Sequence, residues 1–317
     1  MTITAKAVKA SRITLFLILA GLLICAAAIR TDGEAVGRPM EVFAGIPPVA
    51  YIVDRVGGAH VNVNVLMDRG QDPHTFEPSP RQVVGLSRSK MYFKVGLPFE
   101  NRLIERVAEG IAGFKVVDIG EGVTRVPVEE RGGHGHSHGD GHDHGEDDLD
   151  PHIWLSPGLL KIQAANIRDA LINADSANAA EYHASYERFI GEVEEVDRRL
   201  KEMLEPFEGR AFFVFHPAFG YFADAYGLRQ VAVETDGRSP TPRTLSRLIA
   251  MAREEQAEVI FVQPQFDPKS AEAVASAIGA RVETLNVLSY DLLATLVDMG
   301  ARISNALEGG DDSGGGP

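Results

Sequence analysis

ANAAEYHASYERFIGEVEEVDRRLKEML, Ala177 to Leu204, carries no proline and a single glycine, Gly191. A stretch of that kind predicts one continuous helix, roughly 40 Å long at about 1.5 Å per residue. What flanks it decides the fold. Downstream, AFFVF, RQVAVE, EVIFVQP and RVETL read as short apolar strands. They alternate with the helical segments PAFGYFADAYG, TPRTLSRLIAMAREEQ, PKSAEAVASAIG and a last helix from Tyr290 to Leu307. Upstream, EVFAGI, VNVNVLM, MYFKVG and KVVDIG alternate with PPVAYIVDRVGG, RQVVGLSRS and a helix from Glu100 to about Ala112. Strand and helix in alternation predict parallel sheets, so the expected fold class is α/β: two (β/α) lobes with parallel sheets, joined by one long helix.

The expected segments are an amino-terminal lobe over residues 40–175, the linking helix over 177–205 and a second lobe over 210–307. Within the first lobe the hydrophobic periodicity stops, and residues 126–148 read as a loop too polar to order itself. Residues 308–317, rich in Gly and Asp, read as a tail without structure.

At the other end, Lys6, Lys9 and Arg12 precede the apolar run ITLFLILAGLLICAAAI, from Ile13 to Ile29. Positive charge before a short apolar run predicts an export signal or membrane anchor within residues 1–30, hence a protein that works outside the cytoplasm, in the periplasm or on the outer face of the membrane. Cys25, the only cysteine, lies at the end of this run, where a lipid anchor on its thiol is an alternative to cleavage. Without a second cysteine the folded part has no disulfide, and any bound metal takes nitrogen and oxygen ligands. The net charge of -14 and a pI near 5.2 argue against a nucleic-acid partner.

Ligands of open parallel sheets bind beyond the carboxyl ends of the strands. Three histidines fall in such loops: His74 in DPHTFEPSP, His152 in DPHIWLSP, and His216 in FHPAFGYF directly after a strand. Neutral imidazoles are common metal ligands, and three converging from distant segments suit Zn²⁺. His60 and His183 read as surface residues. The remaining five, His134, His136, His138, His142 and His144, stand in GGHGHSHGDGHDHGED, from Gly132 to Asp147. A tract with no structure of its own loses chain entropy when it closes on an ion, so these histidines are expected to bind metal weakly, as an accessory to a site built elsewhere.

These motifs, in this order, resemble the solute-binding proteins of zinc and manganese ABC importers (cluster A-I), the zinc-uptake type in particular. DPHTFEPSP, the histidine-rich insertion, DPHIWLSP, the long helix, FHPAFGYFADAYGL and VIFVQPQFDPKSAEAVASAIG carry the resemblance. It implies two lobes bridged by a rigid helix with the metal site in the cleft between them, metal ligands at His74, His152 and His216, an ABC permease as membrane partner, and a monomer that is not an enzyme. The manganese-type branch usually has glutamate at the third position, so histidine at 216 favours Zn²⁺ over Mn²⁺. This chain departs from its relatives at Asn286, where many have a carboxylate ligand, and at Gln263, where many have glutamate. Asn286, Glu77, Glu234 and Asp267 are therefore the candidates for a fourth ligand or for support of the imidazoles, with water as the alternative. An open fourth position also suits a zinc hydrolase, although no HExxH pair or GxSxG elbow is present. A surface zinc buffer or adhesion protein is the remaining alternative.

Overall fold

The computed structural model describes residues 38–107, 113–127, 149–234 and 240–309. The apolar amino-terminal run, the histidine-rich run with its five histidines, and residues 310–317 lie outside them. Two four-stranded sheets, parallel throughout, form the frame. The first contains β1 (Met40–Ala44), β2 (Val61–Val65), β3 (Met91–Lys94) and β4 (Lys115–Asp118) in the order β2-β1-β3-β4. The second contains β5 (Ala211–Val214), β6 (Arg229–Ala232), β7 (Val259–Val262) and β8 (Arg281–Thr284) in the order β6-β5-β7-β8. The two halves thus share one strand order, with no repeat visible in the residues themselves. In each, the chain runs outward to one edge and then crosses back, so each sheet has a switch point between its first and third strands, where the diverging loops leave room for a ligand.

The helices are α1 (Pro47–Gly57), α2 (Pro80–Leu86), α3 (Pro98–Val107), α4 (Pro157–Ala174), α5 (Ala179–Leu204), α6 (Gly220–Ala225), α7 (Pro242–Glu254), α8 (Pro268–Ile278) and α9 (Leu292–Gly309). Six of these nine begin at proline, whose fixed φ suits the first helical position and whose missing N–H costs nothing there. Ser79 closes a capping box with Gln82 at the start of α2, and the Gln82 amide donates to the Leu66 carbonyl at 2.5 Å. The loop between them, which carries His74, is thereby tied at both ends. Ser156 stands at the N-cap of α4, but its hydroxyl makes no capping bond.

Helix α5 is the predicted long helix. It starts at Ala179, two residues later than the pattern suggested, because Ser176–Asn178 form a 3-10 turn. Its buried side chains, Tyr182, Phe189, Val193, Leu200 and Leu204, recur every seven and four residues and so form one stripe. That stripe packs against α1, α4 and α9. The apolar core is continuous from the first sheet through α5 to Phe212, Val214 and Phe261 on one face of the second sheet, whose other face has its own cluster around Phe213 and Ile260. Among the described residues no helix is long and apolar enough to cross a membrane.

Candidate metal centre

Asp-Pro-His occurs twice, and the structure builds the same turn from it both times. The carboxylate of Asp72 accepts the His74 N–H at 2.9 Å, and that of Asp150 accepts the His152 N–H at 3.0 Å. An aspartate bonded to the backbone two residues on mimics a backbone turn, and the intervening proline stiffens it. His216 arrives differently, two residues beyond the end of β5 at the switch point of the second sheet. There its carbonyl accepts the side-chain amide of Gln263 at 3.2 Å.

The three imidazoles meet. One ring nitrogen from each of His74, His152 and His216 lies within 4.8 Å of the others. Nε2 of His74 stands 3.2 Å from Nε2 of His216. Two nitrogens on one tetrahedral zinc, at bonds of about 2.0 to 2.1 Å, are separated by about 3.3 Å. This pair therefore already has the spacing of an edge of the coordination tetrahedron. Among the described residues no Asp or Glu joins the group.

Two of the rings are oriented by carboxylates. Nδ1 of His152 lies 2.7 Å from Asp150 Oδ1, and Nδ1 of His216 is hydrogen-bonded to Glu234 Oε1. With Nδ1–H donating outward, the lone pair of each Nε2 is left for the centre, an arrangement that fixes tautomer and orientation and raises ligand basicity. Both supports are buried: Asp150 is 1% exposed and Glu234 5%. Trp154 flanks His152, and Phe266 lies against His216 with ring centroids 5.0 Å apart. His74 is the most accessible of the three. Burial, together with the nearby His216 and His152, still pushes its pKa down to about 4. Burial also lowers that of His152, against the opposing pull of Asp150. Both rings are therefore neutral at physiological pH, the form that coordinates metal.

None of the acidic sequence candidates Glu77, Glu234 and Asp267 joins the imidazole group. Glu234 supports a ring instead. The Asn286 amide oxygen accepts the Leu288 N–H at 3.1 Å, and the residue lines a hollow of about 250 Å³ with Asp291 and Asp298. Asp267 caps α8, accepting the Lys269 N–H, and Glu77 is exposed. The five tract histidines, His134, His136, His138, His142 and His144, lie outside the described residues. His183 is exposed, whereas His60 is not a free surface residue: it pairs with Glu181 at 2.7 Å and packs edge-on against Tyr182. Asp150 was missed in the sequence, although its place in a tripeptide shared with Asp72 was the available signal.

The family model described as zinc-uptake complex component A, periplasmic (ZnuA), matches residues 42–306. The high-affinity zinc uptake system protein ZnuA of Bacillus subtilis (strain 168) is 27% identical, over 86% of this chain and 88% of that protein. A crystal structure of ZnuA superposes with a TM-score of 0.77 at 36% identity, covering 85% of this chain and 99% of the other. A ZnuA deletion mutant with zinc bound superposes with a TM-score of 0.75, also at 36% identity, covering 84% and 98%. Two lobes of identical strand order, three converging imidazoles and a match along nearly the whole folded chain lead to one conclusion: this protein belongs to the periplasmic zinc-uptake component A (ZnuA) family.

Proposed function

We propose that this protein is an extracytoplasmic, high-affinity zinc receptor that captures Zn²⁺ and delivers it to the permease of an ABC importer. The observation that carries the reading is the convergence of His74, His152 and His216, two of them held by buried carboxylates. Neutral imidazoles select a borderline ion such as Zn²⁺ over the oxygen-preferring Mn²⁺. The similar zinc uptake protein of Bacillus subtilis and the zinc-bound ZnuA structure support the same metal. Zinc is the cargo here. The three imidazoles supply the protein ligands, and water completes the coordination. The protein acts as a monomer and catalyses no reaction. The amino-terminal run exports it, with or without a lipid on Cys25, and the histidine-rich run collects zinc weakly as an accessory.

The test is a zinc titration, against a chromophoric competitor, of protein lacking Gly132 to Asp147. One tight equivalent is expected, and His216→Ala should weaken it at least a hundredfold. Loss of tight binding on deleting the run would transfer the affinity to the run and overturn the site. Unchanged affinity in His216→Ala would do the same.

A further inference from the structure

Tyr221 stands five residues after His216, on α6 of the second lobe, and is 5% exposed. Its hydroxyl reaches into the first lobe. It accepts the Val126 N–H at 3.3 Å and donates to the Asp150 carbonyl at 3.1 Å. The Asp150 N–H in turn donates to the Val126 carbonyl at 2.9 Å, and an antiparallel bridge pairs Pro127 with Leu149 beside it. Val126, Asp150 and Tyr221 thus form a closed ring of hydrogen bonds that grips the Asp150 peptide on both sides. The carboxylate of that same Asp150 accepts from both the N–H and Nδ1 of His152.

From this arrangement we infer that Tyr221 is a positioning residue for zinc binding, acting through Asp150 on His152. The segment that leads from β5 into α6 carries His216 and, five residues later, the hydroxyl that fixes the aspartate behind the ligand of the opposite lobe. Displacing the two lobes across the cleft would pull the Asp150 peptide with Tyr221 and turn the His152 ring away from the metal. The hydroxyl therefore couples lobe position to ligand geometry. In Tyr221→Phe the ring still packs, but the Asp150 carbonyl and the Val126 N–H lose their shared partner, and Asp150 gains freedom to drift.

This inference rests on the three-histidine reading, and its experiment separates the two. Full-length protein is loaded with half an equivalent of Zn²⁺, so that the tightest site fills first. Affinity and dissociation rate are then measured with a chromophoric chelator. Tyr221→Phe is expected to weaken zinc about three- to tenfold, the scale of one hydrogen bond, chiefly through faster dissociation. In an Asp150→Asn background, where the ring of hydrogen bonds persists without the carboxylate, the same change should alter affinity less than about twofold, while its effect on the melting temperature of the metal-free protein remains. His152→Ala supplies the same comparison if Asp150→Asn does not fold. Unchanged affinity in Tyr221→Phe, or an equal fold-loss in both backgrounds, would overturn the positioning role. Absence of a tight equivalent in the unaltered protein would instead overturn the zinc-receptor reading.

Discussion

An imidazole binds a metal through one nitrogen only after the other has been committed, and in this site buried carboxylates make that commitment for two of three rings. Glu234→Gln keeps the shape but replaces a charged acceptor with an amide, so His216 loses basicity and a fixed tautomer. A fall in zinc affinity of about 10- to 100-fold is expected, measured by competition titration. Glu234→Asp, with a shorter reach, should recover little of it. Proton linkage gives a second expectation at this scale. Burial holds the His74 pKa near 4, below the ordinary value of about 6.5, so between those values the unfolded chain binds more protons than the folded one. The metal-free protein therefore has its full stability from this group above about pH 6.5 and loses it as pH falls toward 4, by at most about 1.4 kcal/mol per pH unit for one proton. Urea unfolding of the unaltered protein and of His74→Gln should show the steeper acid decline in the former. Parallel declines would refute it.

At the scale of elements, the linking helix is held by its stripe rather than by its ends. Leu200 is fully buried and packs against Gly300 of α9: a Cβ built on Gly300 would lie 2.3 Å from Leu200 Cδ2. Glycine at 300 is what lets the two helices approach. Leu200→Ala removes the side chain that fills this contact and should cost about 2 to 5 kcal/mol, read by denaturant unfolding. The zinc affinity of the folded fraction should stay unchanged, since no ligand is carried by α5 or α9. A loss near zero would mean that the helix is not the structural link between the lobes.

For the molecule as a whole, the continuous core and the contacts across the cleft argue for one cooperative body. Trp154 Nε1 donates to the Val287 carbonyl at 3.0 Å, and the Tyr290 hydroxyl donates to Asp54. Core and contacts alike resist independent movement of the lobes. Thermal unfolding of the metal-free protein should accordingly show a single transition, with calorimetric and van't Hoff enthalpies equal. Zinc at a hundred times its dissociation constant should add about 2.7 kcal/mol of stability without splitting that transition. Two resolved transitions would show that each half melts by itself.

The lobes and the linking helix were readable along the chain because they rest on local patterns: short β-branched runs, prolines that open helices, and 28 residues without a helix breaker except Gly191. His74, His152 and His216 were readable for a related reason, since proline-stiffened loops at strand ends preorganise side chains whatever they face. Only the tertiary structure decided what those histidines do together. The 3.2 Å spacing of two ring nitrogens joins residues 142 positions apart, and the pairings of Glu234 with His216 and of Tyr221 with Asp150 are equally invisible in their neighbours along the chain. His60 makes the same point from the other side: it reads as a surface residue and pairs with a glutamate 121 positions away. Backbone preference is a property of neighbouring residues, so the sequence by itself determined the elements and the loops that carry the ligands. Coordination depends on distances between side chains brought together by packing, and those distances exist only once the two sheets have closed on a common core.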